Sequence, residues 1–249
     1  MSERPRVVVT RRLPSVVEAA LAERFEVQLN RDDAPLTTEA LRRAIATADA
    51  VLPTVTDRLS SEVFEGATGR CRVVANFGVG VNHIDLDAAV RAGCVVTNTP
   101  DVLTDDTADL AILLMLAVLR GAGAGERRVR AGHWDGWGPT SDLGRRLSGK
   151  SLGVVGFGRI GQAVARRARL GFGMRVLAWS RRRPTAEALE GVTWVESFDA
   201  LLPQVDVLSL HTPGGTQTRH LIDAHRLACL PAHAVLVNTA RGDVVDEAA

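Results

Sequence analysis

Ser151-Leu152-Gly153-Val154-Val155-Gly156-Phe157-Gly158-Arg159-Ile160-Gly161 is the stretch on which the rest of the reading turns. Its first five residues predict a short buried strand. A G-x-G-x-x-G follows, then a helical pattern over 162–170 with Gly171 as its expected cap, and a second strand over 174–179. The glycines therefore stand in the strand–turn–helix setting that dinucleotide binding requires. Gly156 permits the tight turn. Gly158 lets backbone approach a pyrophosphate with no Cβ in the way, and Gly161 lets the helix pack closely on the strand. The helix start, at Arg159 and Ile160, offers free N–H groups and a partial positive charge to the phosphates. The competing reading is a structural Gly-rich turn in an ordinary βαβ unit, and the flanking elements weigh against it.

The end of the second strand sets the cofactor. NAD-binding versions of this fold carry an acid about 20 residues beyond the loop, on the ribose 2′-hydroxyl. Here that point is Ser180, followed by Arg181, Arg182 and Arg183. A hydroxyl and guanidinium groups favour a 2′-phosphate, which an acid would repel. NADP(H) is therefore the expected cofactor, with NAD(H) as the second option. A solvated arginine run is the bland alternative.

Outward from this unit, strand-like runs at 7–10, 26–29, 50–52, 72–75 and 94–97 alternate with helical patterns at 14–25, 38–47 and 85–92, the last closed by Gly93. Such alternation predicts βαβ units and parallel sheets. Asn98-Thr99-Pro100 breaks the rhythm, and a long apolar helix is expected over 104–120, closed by Gly121. Residues 121–125 are Gly/Ala-rich, and 133–149, with Trp134 and Trp137, reads as an arm or loop.

Bulk properties exclude several classes. A chain of 249 residues holds one or two domains. A net charge of +1, with arginines scattered along the chain, gives no reason to expect nucleic acid or an anionic membrane as partner. The apolar run 108–119 is interrupted by Asp109 and is too short to cross a bilayer. Cys71, Cys94 and Cys229 show no metal spacing, so no metal is expected, and free thiols favour a reducing, cytoplasmic setting.

Four blocks, taken together, resemble the D-2-hydroxyacid dehydrogenases, with the glyoxylate/hydroxypyruvate reductase branch looking closest. They are Asn76-Phe77-Gly78-Val79-Gly80-Val81-Asn82-His83-Ile84-Asp85, Asn98-Thr99-Pro100-Asp101-Val102-Leu103-Thr104, the Gly156–Gly161 loop, and Asn238-Thr239-Ala240-Arg241-Gly242. The resemblance implies that the amides of Val79 and Gly80 bind the substrate carboxylate, which suits a glycine-flanked turn after a strand. A purely structural turn is equally open on spacing alone. It implies that Arg241 holds the keto oxygen and carboxylate. An ion pair with Asp243 or Asp246 is the rival role. Thr107, His211-Thr212-Pro213, Thr239 and Ala240 resemble cofactor-contacting positions, although a histidine at a strand end is as readily structural.

On this resemblance the fold is α/β with two doubly wound parallel sheets. Residues 1–99 are expected as a flavodoxin-like substrate domain and 100–249 as a Rossmann-type NAD(P)-binding domain incomplete at its C-terminus, with the active site in the cleft between them. In relatives a glutamate-oriented histidine beyond the arginine donates the proton. This sequence stops at Ala249, so a C-terminally shortened member is expected, with 243–249 the start of an uncompleted helix. The expected activity is NADPH-dependent reduction of a small 2-keto acid, glyoxylate or hydroxypyruvate, to the D-2-hydroxy acid, by a homodimer formed through the long helix and the tryptophan arm. The rivals are an inactive or regulatory nucleotide-binding fragment, 3-phosphoglycerate or formate dehydrogenase, and a corepressor-type relative.

Overall fold

Among the described residues, which are 4–67, 69–141 and 143–249 of a computed structural model, ten strands form two five-stranded sheets. The chain divides into two units, Met1–Asp101 and Val102–Ala249. In the first, β1 (Arg6–Val9), β2 (Glu26–Gln28), β3 (Ala50–Leu52), β4 (Val73–Ala75) and β5 (Val95–Thr97) run in the order β2-β1-β3-β4-β5. Every pairing is parallel. The connections are α1 (Ser15–Arg24), α2 (Thr38–Thr47), α3 (Ser61–Phe64) and α4 (Leu86–Arg91). Thr37 caps α2 by accepting from the Ala40 amide, and Asp85 caps α4 through the Ala88 amide. Leu41 and Ile45 of α2 pack with Val51, Val63 and Val74 on one face of the sheet.

The second unit begins with α5 (Thr104–Leu119) and α6 (Ala122–Arg130). After the arm come β6 (Ser151–Val155), α7 (Arg159–Phe172), β7 (Arg175–Trp179), β8 (Thr193–Trp194), α8 (Phe198–Leu201), β9 (Val207–Leu210), α9 (Ala224–Cys229) and β10 (Val235–Asn238). Their order is β10-β9-β6-β7-β8, again all parallel. β6 and β9 are buried almost throughout, as central strands covered on both faces must be. Strand order reverses between β1 and β3 in one sheet and between β6 and β9 in the other. At such a switch point the loops leaving the carboxyl ends of the strands part and open a crevice. The fold is thus the α/β, doubly wound class read from the alternation.

Two local expectations are corrected, and one stretch left without an assignment forms a helix. The helix after the glycine loop is not capped by Gly171. It runs to Phe172, which packs on the core, and Gly173, at φ +58°, is its left-handed cap. The Gly/Ala-rich stretch after Gly121 forms α6, because Gly121 at φ +64° turns the chain and restarts a helix. Residues 243–249 do not begin an α-helix. Gly242–Val244 is a single 3-10 turn, Val244 is fully buried, and Val245 bridges Ile222. The arm has no helix or strand among its described residues, residue 142 lying outside them. No single helix among the described residues is long and apolar enough to cross a membrane.

Candidate functional site

The glycine loop occupies the carboxyl end of β6, at the switch point of its sheet. Gly156 has φ +90°, and a Cβ there would lie 2.6 Å from the carbonyl oxygen of His211 and 2.9 Å from the amide of Thr212. The chain leaving β9 passes against this glycine, so nothing larger fits. A Cβ at Gly161 would fall 2.2 Å from the Gly156 carbonyl oxygen, which is the close helix–strand approach expected of the third glycine. Gly158 differs. It has ordinary extended backbone, and a Cβ there would meet nothing within 4 Å. Neither packing nor strain demands glycine at 158, so the space beside it is what a pyrophosphate would fill. No side chain caps α7 and its first turn carries no acid, leaving its amides to a ligand. The hydroxyl of Thr212, next to Gly156, is buried without a hydrogen-bond partner. A dinucleotide fits these features.

At the end of β7, the Ser180 hydroxyl donates to the Arg182 carbonyl at 2.6 Å, and Arg181 and Arg182 extend into solvent. Arg183 is drawn aside by Glu196, at 2.9 Å. His211, after β9, is a half-buried bridge. Its Nε2 meets the Ser209 hydroxyl at 2.9 Å and its Nδ1 meets the Thr239 hydroxyl at 3.4 Å. Burial lowers its pKa to about 4, so it is neutral near pH 7. After β10, the Asn238 side chain donates to the Arg241 carbonyl at 2.8 Å and accepts from the Ala240 amide at 2.9 Å. That clamp shapes the Thr239–Arg241 turn, in which Arg241 is half-buried. One Nη of Arg241 donates to the Ala240 carbonyl at 2.9 Å. Thr107 lies in the first turn of α5, its amide on the Leu103 carbonyl.

In the first unit, the turn after β4 is held from inside. Asn76, buried at the strand end, donates to the carbonyls of Gly78 and Gly80, each at 3.0 Å, while its Oδ1 lies 3.0 Å from the His83 ring. Asn98 donates to the Val79 carbonyl at 2.9 Å, and the Thr99 amide to that of Gly78 at 3.1 Å. All three carbonyls of Gly78-Val79-Gly80 are thereby taken. Among the described residues nothing accepts from the amides of Val79 or Gly80. Two adjacent unpaired N–H groups make an anion-binding concavity. Val55 and Phe77 stand beside it, each half exposed. Reading the sequence gave no role to Asn76, Asn98, Asn238 or Ser209, though the three asparagines end or follow β4, β5 and β10 and Ser209 is a polar residue within buried β9, where a polar side chain is the available signal.

A cavity of about 300 Å³ lies at the opposite, amino-terminal edge of the second sheet, lined by Leu119, Arg145, Lys150, Asp206, Val207 and His233. Burial acts to raise the pKa of Asp206, but hydrogen bonds from the Ser151 amide and hydroxyl and from His233, with Lys150 nearby, hold it at about 2. These groups tie the starts of β6, β9 and β10 together, away from the glycine loop.

A strand–glycine loop–helix at a Rossmann switch point defines a dinucleotide-binding protein. Comparison with known families narrows the class. Residues 112–249 match the NAD binding domain of the D-isomer specific 2-hydroxyacid dehydrogenases. The whole chain is 44% identical over 248 residues to a glyoxylate reductase of Thermococcus kodakarensis, covering 98% of this chain and 74% of that one. A solved structure from Thermus thermophilus superposes with a TM-score of 0.87 at 44% identity, over 97% of this chain and 75% of the other. A solved glyoxylate reductase from Paecilomyes thermophila gives a TM-score of 0.86 at 31% identity, over 100% and 77%. The chain belongs to the D-isomer specific 2-hydroxyacid dehydrogenases, and its second unit carries their nicotinamide-dinucleotide-binding fold.

Proposed function

We propose that this chain is a glyoxylate- or hydroxypyruvate-reducing member of the family that prefers NADP(H) to NAD(H). The observation that carries the substrate part is the Gly78–Gly80 turn, whose carbonyls are all engaged while the amides of Val79 and Gly80 are not. It offers one carboxylate two N–H donors, with the half-exposed apolar side chains of Val55 and Phe77 beside them, which suits a small keto acid. The glyoxylate reductase relative from Thermococcus supports the same substrate.

When bound, the reduced nicotinamide supplies the hydride. The groups of this chain bind and orient the reactants, and the proton that the keto oxygen takes up comes from a donor other than these groups. Val79 and Gly80 fix the carboxylate, which orients the keto carbon. Arg241 polarises the keto oxygen and stabilises the negative charge that develops there. The backbone amides at the start of α7 hold the pyrophosphate, with Gly158 leaving room for it. Thr107, Thr212, Pro213, Thr239 and Ala240 contribute further cofactor contacts. Arg181 and Arg182 pair with the 2′-phosphate, where an acid would exclude it. His211 is neutral and engaged on both ring nitrogens, so it positions Thr239 rather than supplying the proton.

Glyoxylate-dependent loss of NADPH absorbance, with NADH run alongside and both affinities measured by fluorescence, tests this reading. NADPH binding tighter than NADH is expected, by about tenfold or more for charge-assisted contacts to the 2′-phosphate. Tighter binding of NADH would overturn the cofactor preference. The neutral His211 favours one second reading, a nucleotide-binding form without turnover, and firm NADPH binding with no glyoxylate-dependent oxidation would select it.

A further inference from the structure

We infer that Asp57 is the positioning residue of the carboxylate-binding turn, an inference that rests on the reading of Val79 and Gly80 given above. Asp57 is 4% exposed and sits at the switch point of the first sheet, between the ends of β1 and β3. Its Oδ2 accepts from the Thr10 hydroxyl at 2.5 Å, at the end of β1. The same oxygen accepts from the Thr54 amide at 2.8 Å and the Thr54 hydroxyl at 3.4 Å, just after β3. The Asp57 amide closes the turn on the Thr54 carbonyl at 3.1 Å. One carboxylate oxygen thus draws the exits of two strands together.

The segment it holds is the one on which the anion-binding turn leans. The Phe77 amide donates to the Pro53 carbonyl at 2.8 Å, and Thr54 bridges Phe77 as an isolated parallel pair. Val55 Cγ1 lies 2.9 Å from where a Cβ on Gly78 would stand, so it packs directly on that glycine. The links run from Thr10 through Asp57 to Thr54 and Val55, and so to Phe77 and Gly78. Moving any of them re-aims the next two amides. Stability alone is a poor reason for this residue, because its Oδ1 is buried with no hydrogen-bond partner and a half-satisfied buried carboxylate costs folding free energy. A residue that costs stability while tying β1 to the substrate turn is what positioning looks like.

The test is an amide NMR titration of the intact chain with oxalate as carboxylate probe, with NADPH affinity followed by fluorescence. In the native chain the Val79 and Gly80 amides are expected to shift with oxalate. Asp57→Ala is expected to weaken oxalate about tenfold, by loss of the aim of two hydrogen bonds, and to leave NADPH affinity unchanged. Asp57→Asn, which keeps an oxygen for Thr10 and Thr54, is expected to recover most of the oxalate affinity. Leu41→Ala, a core change in the same unit, controls for stability. Melting lower yet binding oxalate as the native chain does, it would set positioning apart from general loosening. If the native amides shift and Asp57→Ala binds oxalate normally, the role of Asp57 is overturned alone. If Leu41→Ala weakens oxalate as much as Asp57→Ala, that role also falls. If the native Val79 and Gly80 amides never respond, the carboxylate-turn reading fails and takes the role of Asp57 with it.

Discussion

Three glycines in one loop have three different reasons to be glycine, and single substitutions separate them. Gly161→Ala drives a methyl group into the Gly156 carbonyl, so the domain is expected to lose about 1–3 kcal/mol or fail to fold, read by thermal melting. Gly158→Ala meets no protein atom, so its melting temperature is expected to stay near native while NADPH affinity falls about tenfold or more, because the added methyl takes ligand space. Equal melting losses in both variants would remove the ligand explanation for Gly158. His211 makes a separate prediction. Its folded pKa of about 4 lies below the ordinary 6.5, so the unfolded chain protonates first. The stability it contributes is whole above pH 6.5 and drains as pH falls toward 4, by up to about 3 kcal/mol. Denaturant unfolding between those pH values should show that slope, and His211→Asn should flatten it. The burial behind this shift could not be read from the sequence, which left the histidine equally open to cofactor contact. Of the two hydroxyls that hold the ring, Ser209 lies two residues before it on β9, whereas Thr239 is reached only when β9 and β10 lie side by side.

Elements were legible where apolar spacing was regular and illegible where tertiary contacts set the ends. The pattern over 38–47 gave α2 to the residue, since Thr37 supplies a cap and Leu41, Ala44 and Ile45 line one face. The four-residue helices α3 and α8 and the six-residue α9 are too short to show a period, so packing defines them. The boundary of α7 moved because Phe172 finds a place in the core, which holds Gly171 inside the helix. The anchoring of α7 was equally invisible. Arg167 reaches from α7 to two acids one turn apart on α5, Asp105 at 2.8 Å and Asp109 at 2.6 Å, and also donates to the Ala163 carbonyl. Both acids are largely exposed, so each pair is worth at most about 1 kcal/mol. Arg167→Ala is expected to lower the melting temperature by roughly 2–6 °C, with Asp105→Asn and Asp109→Asn each giving part of that. A loss confined to one acid would show that the fork acts as a single pair.

At the scale of the whole molecule, two parallel sheets were readable because buried β-branched runs alternate with amphipathic stretches twice, on either side of the Asn98-Thr99-Pro100 break. Strand order was not, since nothing local in the sequence records that β3 crosses to the far side of β1, or β9 to the far side of β6. The second unit also shows what a single chain leaves unfinished. Ala108, Ala111, Ile112 and Met115 of α5 face its core, yet Leu113 and Val118 on the same helix are more than half exposed. Val129 of α6 and Trp134 of the arm are likewise exposed, and Trp137 retains 85% of its surface. Tryptophans and leucines in such numbers on one unit are costly in water and are the residues from which stable interfaces are made. We therefore predict that the protein is a homodimer through this surface, burying on the order of 800 Å² per subunit. Light scattering should return twice the chain mass. Leu113→Glu, which places a charge on the outer face of α5 without touching its core side, should return a single chain mass with the circular dichroism of the native fold. A native chain that already runs as a monomer at micromolar concentration would refute the dimer, and would leave the exposed face of α5 to a different partner.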